Sequence, residues 1–239
     1  WKTVYGLNLL LELSKSDFNP TFFTLWTKSK IVANSLLSIS WNINYSKIQK
    51  WELDDIDFAY TGEAMENICW LDFNIIESSY WSLDLLFETM KEEAENGSKV
   101  MIIDYIQLLF NDWKENRTQE ISSKIRKLKH KAMELNIVII VLSQLNRDVD
   151  KRPDHRPVLS DFRDSWSLEE DSDVVYGLYR EEYYDEFTEN KWILDVFTLK
   201  NRFGNSYWKN TEFFLNINTW KISNIEIEDW KESVSLDIL

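Results

Sequence analysis

Two short, wholly apolar segments flank one amphipathic helix, and this arrangement constrains the fold more than any other feature. Val100–Ile103 is an unbroken apolar run that ends in Asp104. Ile137–Leu142 reads IVIIVL and is followed by Ser143 and Gln144. Between them, residues 117–135 set Ile121, Ile125, Leu128, Ala132 and Leu135 on one stripe at helical spacing. A strand with no polar alternation must be covered on both faces. That condition is met in a parallel sheet flanked by helices.

The rest of the chain extends the pattern. Residues 2–15 read as a helix with Val4, Leu7, Leu10 and Leu11 on one face. Residues 21–25 read as a short buried strand, and residues 28–66 as polar helices with turns near Asn42 and Trp51. A strand is predicted over 68–73, and a helix over 83–95 that Asn96-Gly97 ends. Strands are predicted at 174–178, 193–199, 212–217 and 221–225, with hairpin spacing at the end. The expected fold is α/β: a mostly parallel sheet flanked by helices, with an antiparallel C-terminal edge. No internal repeat or low-complexity linker divides residues 1–239, so a single domain is expected.

Composition removes several classes. No apolar run reaches the roughly 18–20 residues that span a bilayer, so no membrane partner is expected. The single cysteine, Cys69, excludes an internal disulfide framework, and two histidines do not build a multi-histidine metal site. With no signal peptide in the sequence, a reducing, cytoplasmic location is the expectation. The net charge of −14 argues against coating nucleic acid by bulk electrostatics. It leaves room for a local basic loop.

In open parallel sheets ligands sit at the C-terminal ends of the strands. Lys2-Thr3 opens the first helix, Asp104 ends one apolar strand, and Gln144 follows the other. Lys-Thr at a helix start is the tail of the phosphate-binding loop G-x-x-x-x-G-K-[ST]. There the amine meets the β- and γ-phosphates and the hydroxyl ligates Mg²⁺. An aspartate at a strand end completes the Mg²⁺ site, and a neighbouring polar side chain can sense the γ-phosphate. Each residue alone also has a plain structural reading, as a helix start, a strand terminator or a surface amide.

The stretches IIDYIQLL (102–109), ENRTQEISSKIRKLKHKAMELNI (115–137), VLSQLNRDVDKRPDHRPVLSDFRDS (141–165), SLEEDSDVV (167–175), LYREEYY (178–184) and LKNRFGN (199–205) carry a resemblance. Together with the opening KTVYGLNLLLELSK, they resemble the C-terminal ATPase domain of DnaB-type replicative DNA helicases over nearly the whole chain. The resemblance implies a RecA-like P-loop NTPase core. Its first strand, N-terminal helical domain and linker would be missing from this sequence. It implies a homohexameric ring that hydrolyses ATP with Mg²⁺ at subunit interfaces, translocates on single-stranded DNA, and works with primase and a helicase loader. By position, Lys2 and Thr3 match the end of the phosphate loop, Asp104 the Mg²⁺-coordinating aspartate and Gln144 the γ-phosphate sensor. Lys200 and Arg202 match the pair offered to the neighbouring subunit's nucleotide. Arg163, Asp164 and Trp166 fall in the channel loop that meets DNA, with Asn116 and Arg117 in its partner segment. On their residues alone, these positions also read as exposed charges and a solvated loop.

Two departures stand out. Where the resembled pattern reads S-L-E-M, with the Glu orienting the attacking water, this chain has Thr24-Leu25-Trp26-Thr27. That opens an alternative, a hydrolysis-deficient ring or single-strand-binding subunit. A recombination-type RecA-like ATPase is a weaker fit. The second departure is compositional. The chain has 12 Trp and only 5 Gly, together about 7% of residues, which is an ordinary share for glycine alone. The resembled pattern has glycine at Trp1, Trp51 and Trp166, and at Trp41, Trp113, Trp192 and Trp208. Trp220 sits at a hairpin turn where Gly or Asn is expected. Translating UGA as tryptophan, in a gene whose cells read it as glycine, leaves this signature. The expectation is that Trp51, Trp166 and Trp220 lie at turns or exposed, not in the core.

Overall fold

The computed structural model of the chain describes residues 1–78, 80–109, 117–162, 170–204 and 210–225. In chain order its elements are α1 (Lys2–Ser14), β1 (Thr21–Thr24), α2 (Ser29–Trp41), α3 (Tyr45–Lys50), α4 (Asp55–Cys69), β2 (Asn74–Glu77) and α5 (Leu83–Glu95). Then follow β3 (Val100–Asp104), α6 (Arg117–Leu135), β4 (Val138–Val141), β5 (Val174–Tyr179), β6 (Ile193–Asn201), β7 (Asn210–Leu215) and β8 (Ile222–Asn224).

Strands β2-β1-β3-β4 form a four-stranded parallel sheet. Alternate residues of each strand face opposite layers. Phe23, Met101 and Ile103 pack with Trp81, Leu86 and Met90 and with Ile125 and Leu128 of α6. Phe22 and Ile102 face the other way, onto Leu7, Leu10 and Leu11 of α1 and Val32, Leu36 and Ile39 of α2. The uninterrupted apolar runs thus supply two cores at once.

The antiparallel strands β5-β6-β7-β8 close as a sheet of their own rather than hydrogen-bonding to the parallel one. Helix α1 joins the two. Its Val4 packs on Leu194, Val196 and Leu215. The buried Asn8 donates to the Trp220 carbonyl at 2.9 Å and accepts from the Ile222 N–H at 2.9 Å.

One predicted strand is displaced. The segment 68–73 is the end of α4 and the loop after it, and the strand is Asn74–Glu77. Leu71 and Phe73 are apolar because they pack under α1 and α2 from that loop, not because they alternate in a sheet.

Candidate functional site

β1 and β3 lie side by side, while the chain departs to β2 on one flank and returns to β4 on the other. This is the switch point at which open α/β sheets bind ligands. Thr24 pairs in register with Asp104, so both stand at the C-terminal edge. The Leu25 N–H donates to the Asp104 carbonyl at 2.9 Å and ties the chain after β1 to that edge.

The start of α1 points here. The Thr3 hydroxyl donates to Asp104 Oδ2 at 2.7 Å, across 101 residues of sequence. Asp104 is 3% exposed, and its other oxygen, Oδ1, is buried with no hydrogen-bond partner. Burial pushes the carboxyl above its usual range, and the Thr3 bond and the Lys2 charge only partly offset this. Lys2 Nζ lies 5.3 Å from the centre of the Tyr105 ring, and burial lowers its pKa although Asp104 works the other way. Gln144 lies two residues past Leu142, whose N–H pairs with Ile103 at 2.9 Å. It is therefore on the strand end next to Asp104, with its side chain exposed.

The unsatisfied groups fit a dication. Among the described residues no three His, Cys, Asp or Glu side chains gather as a metal cage. Mg²⁺ commonly takes one or two protein ligands and completes its shell with water and substrate phosphates. Thr3 Oγ1 and the unpartnered Asp104 Oδ1 match that demand. The first N–H groups of α1 add a phosphate-facing helix start.

Arg180, just past β5, is a neighbour that pattern reasoning missed. Its guanidinium lies 3.6 Å from the centre of the Trp1 ring, and it is 6% exposed. Nη2 contacts Glu182, while Nε and Nη1 are buried without partners. Burial pushes its pKa down to about 10. Its sequence signal, an arginine directly after an apolar strand, is shared with many surface residues.

Lys200 and Arg202 stand elsewhere. Lys200 pairs in register with Val175, at the opposite end of β5 from Arg180. At about 3.3 Å per residue that separates them by on the order of 15 Å. Lys200 Nζ donates to the Glu170 carbonyl at 3.2 Å. Arg202 is exposed and makes an ion pair of 3.1 Å with Asp173 of its own chain. Trp26 is 75% exposed, one residue past Leu25. Arg117 is the first residue of α6. Asn116, Arg163, Asp164 and Trp166 lie outside the described residues, as do Trp113 and Trp208.

A parallel α/β sheet with a helix-start Thr on a strand-end Asp at its switch point defines a RecA-like core. A RadB recombinase structure shares that fold, with a TM-score of 0.55 at 12% identity over 94% of this chain and 87% of its own. The chain belongs to the DnaB-like helicase C-terminal domain family, whose model matches residues 1–221. It is 34% identical over 207 residues to the replicative DNA helicase DnaB of Geobacillus stearothermophilus, covering 85% of this chain and 46% of that relative. The replicative DNA helicase DnaC of Bacillus subtilis (strain 168) matches at the same identity and coverage. The chain thus spans about half the length of these relatives. Among solved structures, one of an isolated ATPase domain superposes with a TM-score of 0.88 at 30% identity, over 94% of this chain and 80% of that one. A DnaB-like replicative helicase, studied with its interactions with primase, gives 0.88 at 31%, over 94% and 55%.

Proposed function

We propose that this chain is the motor domain of an ATP-driven replicative DNA helicase. The observation that carries the reading is the Thr3–Asp104 bond beside Lys2 at the switch point of the parallel sheet. In this reading Lys2 meets the β- and γ-phosphates and Thr3 and Asp104 hold Mg²⁺. When bound, the cation neutralises charge on the phosphate oxygens. Gln144 senses the γ-phosphate from the neighbouring strand end. Lys200 and Arg202, at the far end of β5 and β6, serve the nucleotide of the next subunit in a homohexameric ring. Single-stranded DNA passes through the ring against Asn116, Arg117, Arg163, Asp164 and Trp166. Contacts to the DNA backbone without base readout suit a motor that steps on any sequence. Primase and a helicase loader are the partners that the family suggests, in the cytoplasm.

The exposed Trp26 favours a second reading, a ring subunit that binds nucleotide and DNA but hydrolyses poorly. No carboxylate follows β1 to orient water, and hydrolysis depends on such positioning. Steady-state ATPase on the assembled full-length protein, with and without single-stranded DNA, separates the two. DNA-stimulated turnover supports the motor. Mg²⁺-dependent binding of ATP without turnover supports the second reading.

A further inference from the structure

Three tryptophans hold backbone conformations that belong to glycine. Trp51 has φ 58°, Trp192 φ 63° and Trp220 φ 61°. Among the described residues, the other positive-φ positions are Asn19, Asn42, Asn136, His155 and Gly97. Asn and His are enriched in this region, whereas for bulky side chains it is an outlier. No other bulky apolar residue type shares it in the described chain.

Each of the three does a glycine's work. Trp51 closes α3: its N–H donates to the Ile48 carbonyl at 3.3 Å, and the Glu52 N–H to the Lys47 carbonyl at 3.0 Å. Those two bonds are the Schellman arrangement, whose left-handed residue is usually Gly. The Trp51 indole projects 73% exposed. Trp220 closes the loop between β7 and β8, its N–H donating to the Asn216 carbonyl at 2.7 Å. Trp192 turns the chain into β6, with its N–H on Glu182 Oε2 at 2.8 Å. Trp81 is the contrast. It has no positive φ, it is buried edge-on to Phe23 at 5.6 Å, and its indole N–H donates to the Thr24 carbonyl at 3.2 Å.

We propose that the working protein carries glycine at positions 51, 192 and 220, encoded by UGA and read as glycine in the cells that express it, and tryptophan at position 81. Unselected decay would scatter several residue types over such turns. A single misread codon places one residue type, tryptophan, at positions that need glycine. It also depletes glycine and inflates tryptophan by matching amounts.

Peptide sequencing by tandem mass spectrometry, on the protein isolated from the cells that encode it, tests this directly. Glycine at 51, 192 and 220 with tryptophan at 81 is the expected result. Tryptophan at any of the first three overturns the proposal. A second measurement isolates the backbone effect on the chain as written. Trp51→Gly is expected to raise the melting temperature by roughly 2–4 °C, whereas Trp51→Ala, which keeps the Cβ, leaves it near the starting value. Equal melting temperatures for the two variants would contradict the assignment at position 51.

Discussion

The Thr3 hydroxyl donates to one oxygen of Asp104 at 2.7 Å, and the other oxygen of the same carboxylate is buried without a partner. The arrangement stores a destabilising charge where a cation can use it. Burial lifts the Asp104 pKa above its unfolded value, so between the two values the native state holds a proton that the unfolded state has lost. In that window stability falls as pH rises, and at neutral pH the ionised carboxylate remains a liability. Asp104→Asn is therefore expected to raise the melting temperature by a few degrees and to flatten this part of the pH profile. Thermal melts in metal-free buffer from about pH 4 to 8 check it. A lower melting temperature at neutral pH would show that the buried charge is better satisfied than the geometry indicates.

Trp1 precedes Lys2 and lies under the Arg180 guanidinium, so its indole fills space beside the helix start that would receive phosphate. Glycine lets backbone N–H groups approach a phosphate closely. Trp1→Gly should tighten Mg²⁺-ATP binding by at least about tenfold, or about 1.4 kcal/mol. Calorimetric titration of the two proteins measures it. Unchanged affinity would place the indole outside the phosphate path.

Arg202 is 52% exposed, and its ion pair with Asp173 is of the surface kind, worth about 0–1 kcal/mol. Such a pair can be exchanged for a phosphate on a neighbouring subunit. Arg202→Ala should keep nucleotide binding by its own subunit and cut hydrolysis in the assembled ring by on the order of 10³-fold. Normal DNA-stimulated turnover in that variant would leave Arg202 as a structural partner of Asp173.

Position 26 follows the residue whose N–H is bound to the Asp104 carbonyl. A carboxylate introduced there stands beside the nucleotide edge. Trp26→Glu is expected to raise kcat by on the order of 10²-fold with little change in KM. Turnover unaffected by the substitution would mean that water is positioned from elsewhere.

Much of this was legible in the residues. Val100–Asp104 and Ile137–Leu142 announce a parallel sheet because a doubly covered strand needs no polar alternation. Asp104 then follows from its place at a strand end. The position of β2 was not legible, because Leu71 and Phe73 are apolar for packing from a loop. Arg180 was hidden because only folding brings the end of β5 against the start of α1. The buried Lys124 breaks the polar face of α6 for a similar reason: its ammonium donates to the Leu109 carbonyl, a contact with no local sequence signal. Trp51 and Trp220 were legible as turns from composition and spacing, and the left-handed backbone at Trp192 emerged from the structure.

The central claim is that Thr3 and Asp104 together hold Mg²⁺ for a bound nucleotide. The most direct measurement is titration of ATP into the full-length protein, with and without Mg²⁺, for the unaltered protein and for Thr3→Ala and Asp104→Asn. The account predicts that Mg²⁺ strengthens binding in the unaltered protein. It predicts that this Mg²⁺-dependent gain disappears in both variants while their melting transitions remain cooperative. Retention of the full Mg²⁺-dependent gain by both folded variants would contradict it.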